Sequence, residues 1–292
     1  MSTPAVNSVG SLRFPYSQDE LTQCVKAALD EDGAFNDLTT IATVVSDRHA
    51  RARLVSRATG VLCGVPLAVE AFCQLDDKIT IRVDHEDGSR LEPGSSVLYL
   101  SGHARALLAA ERVALNFMQR LSGIASLTAR YVEAVHGTRA RILDTRKTTP
   151  GWRLLEKYAV RAGGGVNHRM NLSSAVLIKD NHLAAVDGDV GVAVRRARDI
   201  APAGTKVEVE CDNIDQVRAA LNAGVDIIML DNMTPAQMAA CVGLVDGRVI
   251  TEASGGVSLE TVRAIAETGV DWISVGALTH SAPSLDLALD FE

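Results

Sequence analysis

From Ile142 to Val275 the sequence repeats one unit six times: a short apolar strand, one or two polar residues, then a stretch with helical spacing. The strands read as 142–144, 176–179, 207–210, 227–231, 249–252 and 272–275, with starts 34, 31, 20, 22 and 23 residues apart. Such spacing suits successive βα units in a parallel sheet, because each crossover needs a dozen or more residues. A doubly wound sheet and a barrel both satisfy it, and the strand ends decide between them. Asp144-Thr145-Arg146-Lys147, Lys179-Asp180-Asn181, Glu210-Cys211-Asp212, Asp231-Asn232, Glu252-Ala253-Ser254 and Gly276 all close or follow a strand. An open sheet gathers its site at one switch point, whereas a barrel turns every strand end toward one mouth. The pattern therefore predicts a closed or nearly closed ring.

Upstream the pattern changes. Residues 1 to about 15 read as a flexible arm, and Tyr16 to Leu29 has helical spacing with Leu21, Val25, Ala28 and Leu29 on one face. Strands are expected over 51–57, 61–65, 79–83 and 97–100, with a helix over 65–75. Helical spacing over 103–136 is expected to break at Ser122-Gly123, a second helix starting at Ile124. The fold class is α/β: an N-terminal α+β sandwich domain over 16–123, then an open or incomplete TIM-like α/β barrel over 124–280. A tail of about 281–292 is expected to pack back on the first domain.

At 292 residues and 47% hydrophobic content the chain can fill a large core or two unequal ones. No apolar run reaches the roughly 18 residues of a membrane span, and the first residues lack the apolar centre of a secretory signal. Five scattered cysteines, with no Cys-x-x-Cys pair, read as reduced thiols, so the expected address is the cytoplasm. Aromatic residues are 4% of the chain, too few for a single-strand stacking platform.

Charge is distributed unevenly. Arg139 to Lys179 holds nine Lys or Arg plus His168 against two acids, Asp144 and Glu156, inside a chain of net charge −7. A basic pocket in an acidic protein points to a small ligand with several negative groups, because nucleic-acid binders spread basic charge over a surface. In Asp144-Thr145-Arg146-Lys147-Thr148-Thr149, the Arg fork suits a carboxylate, Lys adds a point charge and the threonines add neutral donors. Gly163-Gly164-Gly165-Val166-Asn167-His168-Arg169 is a second basic turn, whose glycines let main chain approach a ligand. Lys179 closes a strand, either as a Schiff-base nucleophile or as an anion-binding charge. Glu210 and Asp231 suit ribose hydroxyls or a Mg²⁺ carried by a diphosphate. Ser254-Gly255-Gly256, ahead of helical spacing over 258–267, and Val275-Gly276-Ala277 form two adjacent turns suited to a phosphate monoester. Lys206, Glu208 and Glu210 share one strand face, predicted to point inward against cations, while Val207 and Val209 take the other.

The strings DTRKTTPG (144–151), GGGVNHR (163–169), IKDNH (178–182), VEVE (207–210), LDN (230–232) and EASGG (252–256), with ERVALNFMQRLSGIAS (111–126), resemble the quinolinate phosphoribosyltransferase family. The resemblance runs over residues 20 to 290 in the same order. It implies a pentosyltransferase that joins quinolinate to 5-phosphoribosyl 1-diphosphate with loss of CO₂, giving nicotinate mononucleotide and diphosphate. It further implies that Thr145, Arg146, Lys147, His168, Arg169 and Lys179 surround the substrates, with Lys147, Lys179, Glu210 and Asp231 catalytic. Ser254, Gly255, Gly256, Val275, Gly276 and Ala277 match the family's phosphate turns, and Mg²⁺ is the implied cofactor. Arg112 is implied to reach the site from the neighbouring subunit of a homodimer, itself expected as a unit of a possible hexamer. Nucleic acid and membrane are not expected partners.

Overall fold

Ser17 and Glu20 cap each other reciprocally and start the first helix, α1 (Gln18–Asp32), which buries Leu21, Val25 and Leu29. In the computed structural model, which describes residues 12–292, the chain forms two compact units. The first takes in the chain up to Leu127 together with Leu154–Gly163 and Ala282–Glu292; the second comprises Thr128–Arg153 and Gly164–Ser281. Residues 1–11 of the expected arm lie outside the described residues. Phe14 is already fixed, edge-on against Tyr16 and Tyr158 at 5.9 and 5.3 Å.

After α1 come α2 (Leu38–Thr43), β1 (His49–Ser56), β2 (Gly60–Val61), α3 (Val65–Leu75), β3 (Thr80–Val83), β4 (Arg90–Leu91) and β5 (Ser96–His103). Then follow α4 (Ala104–Ala134), β6 (Arg141–Leu143), α5 (Arg153–Ala162), β7 (Val176–Ile178), α6 (Asp180–Ala184) and α7 (Val190–Ile200). The rest alternates: β8 (Val207–Cys211), α8 (Ile214–Ala223), β9 (Ile227–Asp231), α9 (Pro235–Val245), β10 (Ile250–Ser254), α10 (Val262–Ala266), β11 (Trp272–Ser274), α11 (Ala277–His280) and β12 (Leu287–Phe291).

The first unit is built on an antiparallel sheet ordered β12-β1-β5-β3. Along β1 the alternation works as predicted, with Arg51 and Arg53 exposed and Ala52 and Leu54 fully buried. The tail closes this sheet, β12 lying against β1 with Leu54 opposite Leu289. α5 also belongs to this unit, where Tyr158 Oη donates to Asp87 Oδ2 (2.7 Å) and Arg120 pairs with Glu156 (2.9 Å).

The expected break at Ser122-Gly123 is absent, and α4 runs unbroken through it. Both residues serve contacts instead. Ser122 Oγ accepts from the Cys63 amide at 2.9 Å and donates to its carbonyl at 3.1 Å, and a Cβ on Gly123 would stand 2.0 Å from the Pro283 carbonyl oxygen. Glycine is here because the tail's backbone presses against the helix. Expected strand 61–65 is also shorter, because Leu62 to Gly64 lead directly into α3.

The second unit carries six parallel strands in the order β6-β11-β10-β9-β8-β7. The first strand pairs with the last, as a ring requires, but β6 and β7 do not pair with each other. The exposed edge of β6 is covered by a one-residue stub: Val166 bridges Leu143, its amide donating to Ile142 O at 2.9 Å. The barrel is thus open at one seam, which the Gly163–Arg169 turn occupies.

Two glycine substitutions separate packing from helix propensity. Gly123→Ala is expected to lower stability by about 1–3 kcal/mol through the clash. Gly243→Ala, inside α9 with nothing within 4 Å of the new Cβ, is expected to raise it by about 0.5–1 kcal/mol. Urea denaturation of both variants measures the opposite signs.

Candidate active site

Parallel strands end together, so the loops after them share one mouth. A cavity of about 740 Å³ opens there, walled by residues of the second unit, in the ~300–1,000 Å³ range of small-molecule sites. Thr145, Arg146, Lys147, His168, Arg169, Lys179, Glu210 and Asp231 all line it, as do Ser254, Gly255, Gly256, Val275, Gly276 and Ala277. Arg112 is an exposed residue of the first unit, on α4.

Only four of the nine cations in the basic segment reach this wall. Arg153 supports the loops from behind, donating to Thr148 Oγ1 (3.0 Å) and to the carbonyls of Met170 (3.3 Å) and Arg146 (3.4 Å). Arg139 pairs with Asp271, while Arg161 stands over the Tyr158 ring. A high local count of charge therefore overstated the charge available to a ligand.

The four that remain are arranged for anions. Burial pushes the Arg169 guanidinium below its ordinary pKa, and the charge of Arg146 lowers it further. Nε of Arg146 is buried with no hydrogen-bond partner among the described residues. Two guanidiniums kept close in a half-buried wall repel each other until a negative group enters between them. Arg169 is held meanwhile by Nη1 donating to Ala175 O at 3.0 Å. Lys179 Nζ donates to Glu210 Oε2 at 2.7 Å, so it stands as a paired ammonium, which favours the anion-binding reading over a Schiff base.

The two glycine turns expected to take a phosphate differ in part from that expectation. After β10 no long helix begins: Ser258 to Thr261 form a turn and α10 covers only Val262–Ala266. The concavity comes from the backbone, with Gly255 at φ 93° and Gly256 at φ 58°. A side chain at Gly255 would also strike Asn232, whose Oδ1 lies 2.1 Å from the Cβ position. The Val275 amide is committed to the Leu143 carbonyl at 2.9 Å and is not available to a ligand. At Gly276 the Lys147 Cδ lies 3.0 Å from where a Cβ would stand, so a side chain there would push the Lys147 stem aside.

Inside the ring the inward acids predicted from strand parity are present. Glu208 is 3% exposed and Val207 and Val209 are fully buried, and the groups the acids meet come from the basic segment, His168 for Glu208 and Lys179 for Glu210. His168 Nε2 lies 3.3 Å from Glu208 and 3.4 Å from Glu252. Glu252 closed a strand in the sequence reading without a role; His280, a further wall residue, carried no motif that would single it out. Burial alone would lower the imidazole pKa, yet Glu208 and Glu252 outweigh it and raise it to about 10. The Arg169 amide, 2.7 Å from Nδ1, opposes a second proton on the ring. A carboxylate at these distances attracts the charged ring by on the order of 5 kcal/mol at an effective dielectric of about 20. An amide hydrogen bond contributes only about 1 kcal/mol, so the upward direction holds. His168, Glu208 and Glu252 are also the one grouping of metal-ligating types among the described residues, their ligand atoms within 4.8 Å. A ring nitrogen in direct contact with both carboxylates uses that space for a proton.

The family description for the quinolinate phosphoribosyl transferase N-terminal domain matches residues 37–122, and that for its C-terminal domain matches residues 124–290. The nicotinate-nucleotide pyrophosphorylase (carboxylating) of Mycobacterium leprae is 45% identical over 280 residues, covering 93% of this chain and 97% of its own. The probable enzyme of the same name from Bacillus subtilis is 43% identical over 260 residues, 89% of each chain. The solved structure of the nicotinate-nucleotide pyrophosphorylase from Francisella tularensis is similar at a TM-score of 0.89 and 38% identity, over 96% of this chain and 99% of that one.

Because the folded imidazole pKa lies above the unfolded value of about 6.5, its ion pairs contribute full stability below that pH and lose it as pH rises toward 10. The His168 Cε1 proton, identified by its loss in His168→Gln, is expected to keep its charged-form NMR shift through neutral pH. A midpoint near 6.5 would contradict the ion-pair geometry.

Proposed function

Because the chain belongs to the quinolinate phosphoribosyltransferase family, we propose that its cavity divides the two substrates of that reaction between its basic loops and its glycine turns. The reaction is phosphoribosyl transfer from 5-phosphoribosyl 1-diphosphate to quinolinate with decarboxylation, giving nicotinate mononucleotide, CO₂ and diphosphate in NAD biosynthesis. The observation that carries the division is the pair Arg146 and Arg169, close enough in the cavity wall that burial and the charge of Arg146 outweigh nearby Glu208 and hold the Arg169 guanidinium below its ordinary pKa. Quinolinate's two carboxylates supply the missing charge. Arg146 and Arg169 take them, with His168 beneath, while Lys147 and Lys179 hold the diphosphate side. Gly255, Gly256, Gly276 and Ala277 receive the 5′-phosphate through main-chain amides, Ser254 adding its hydroxyl.

With both reactants fixed, the pyridine nitrogen attacks the anomeric carbon as the bond to diphosphate breaks, through an oxocarbenium-like state. Glu210, oriented by Lys179, and Asp231 face the ribose and favour the positive charge that develops there. The ring nitrogen then carries positive charge, so the electron pair left on the adjacent carbon as CO₂ departs is stabilised, and a proton from water replaces the carboxylate. The protein's task in that second step is positioning.

For Mg²⁺ the donor set fits. Asp231 has one oxygen bonded to Asn232 Nδ2 (2.5 Å) and one left for a cation, whereas Glu210 is already paired with Lys179. Asp231 would hold the ion, which would neutralise charge on the leaving diphosphate.

We read the active assembly as a homodimer in which Arg112 completes the partner's cavity. Exposed apolar side chains of the first unit, Phe35, Leu38 and Ile41, offer a surface for such a partner. No helix among the described residues is long and apolar enough to cross a membrane. The five free cysteines support a cytoplasmic address; burial pushes the Cys211 thiol up to about 12.

Release of CO₂ and diphosphate on mixing the two substrates, with nicotinate as control, tests the reaction directly. Lys147→Ala and Arg169→Ala are each expected to lower turnover on quinolinate by about 10²-fold or more with unchanged circular dichroism. Near-normal kinetics in either removes that residue from the site. Mixing an Arg112→Ala chain with a Lys179→Ala chain is expected to restore activity, since one cavity of the heterodimer has every group; no recovery counts against sharing.

A further inference from the structure

The transfer reaction makes no use of Glu208 and Glu252, which lie inside the ring, 3% and 0% exposed, Glu252 at the inner wall of the cavity. Among the described residues neither oxygen of Glu252, nor Oε1 of Glu208, makes a well-aligned hydrogen bond. Layers of branched apolar side chains normally fill this part of a barrel, and they would do so here without removing two acids from water. Burial accordingly raises the Glu208 carboxyl above its ordinary pKa. Such an arrangement calls for something the carboxylates act on, and what they both face is the His168 ring, at 3.3 and 3.4 Å.

His168 enters from the seam. Its backbone amide donates to Asp144 Oδ1 at 2.9 Å, and the neighbouring Asn167 Nδ2 donates to Asp144 Oδ2 at 2.6 Å. The ring therefore hangs from a turn fixed at the end of β6 and reaches across to β8 and β10, where the two acids stand. The Nδ1 edge lies 2.7 Å from the Arg169 amide, so ring position and Arg169 main chain are set together. A one-residue stub at an open seam has no second strand to hold it on its outer side.

We propose that Glu208 and Glu252 are positioning residues for quinolinate: the pair draws the His168 ring into the barrel and thereby fixes where the Arg169 guanidinium stands in the cavity wall. This rests on the reading of Arg169 as a carboxylate clamp. The pair acts through the imidazole, and Glu208 also bears on Arg169 directly by its charge, which makes Glu252 the cleaner test.

Steady-state kinetics of the full chain, with each substrate varied in turn, tests this. Glu208→Gln and Glu252→Gln keep shape and remove charge. Each is expected to raise the KM for quinolinate about tenfold or more, to change the KM for phosphoribosyl diphosphate by less than about twofold, and to keep the wild-type circular dichroism. In a His168→Ala background Glu252→Gln is expected to add nothing further, because residues acting through one group are not additive. Should the Gln variants fold poorly, Glu252→Asp keeps the charge and is expected to recover most of the quinolinate affinity. Equal rises in both KM values, an unchanged KM for quinolinate, or additive effects in the His168→Ala background overturn the proposal. Arg169→Ala separates the levels: an unchanged quinolinate KM there removes the clamp and this proposal with it. A raised KM in Arg169→Ala with normal Gln variants leaves the clamp standing and overturns the positioning role alone.

Discussion

Like charge gathered at one rim is the constraint on which the rest of this structure depends. Arg146, Lys147, Arg169 and Lys179 come from three separate segments, and nothing but the fold keeps them together. Their repulsion opposes that arrangement whenever the cavity lacks an anion. A scaffold that tolerates it must be rigid, and parallel strands packed on helices supply the rigidity. Arg153, which spans Thr148, Arg146 and Met170 from behind, shows how loop carbonyls are used to keep a cationic loop in shape. Lys179 gives up part of its charge to Glu210, so the four cations are unequal, and the two arginines carry most of the unmet demand for an anion.

The open seam follows from the same demand. A closed ring would pair β6 with β7 and leave the connection between them outside the barrel. Here the strands stay apart, and the Gly163–Arg169 turn runs into the gap with Val166 as its one bridge to β6. That opening lets an imidazole enter the interior from the side and lets Arg169 and Lys179 face the cavity from neighbouring segments. The fold gives up one strand pairing and obtains a third basic segment at the mouth.

How much of this the sequence made legible depended on whether the signal was local. All six barrel strands were readable, because apolar runs followed by polar ends repeat at spacings only a βα series satisfies; in the structure each lies within about two residues of its expected place. The cavity wall was readable for the same reason, since strand ends converge whatever the loops do. Glycine in a helix signals a break unless a distant segment needs the space, and the segment that needs it at Gly123, around Pro283, lies 160 positions away in the chain. Glu252 and His280 are not legible as site residues, because a lone acid or imidazole carries no pattern until its neighbours are known. Charge counting failed in the opposite direction: five of the nine cations stand outside the cavity wall, and no local rule distinguishes them from the four within it.

Strand order also separates the signs of charge. The basic groups follow β6, fill the seam and close β7, which are consecutive around the ring once the seam is crossed. The acids lie on the next three strands: Glu208 and Glu210 on β8, Asp231 on β9 and Glu252 on β10. Register sets Glu210 and Glu252 on either side of Met229, so the acidic half faces inward as one row rather than as scattered side chains. The mouth therefore presents cations on one side and the carboxylates of Glu210 and Asp231 on the other. Two anionic reactants that repel each other need the first. The cationic sugar carbon, and the pyridinium that follows it, need the second. Both needs arise in one reaction at atoms a bond apart, and a ring of parallel strands can meet them because neighbouring strand ends are fixed at neighbouring positions around one axis.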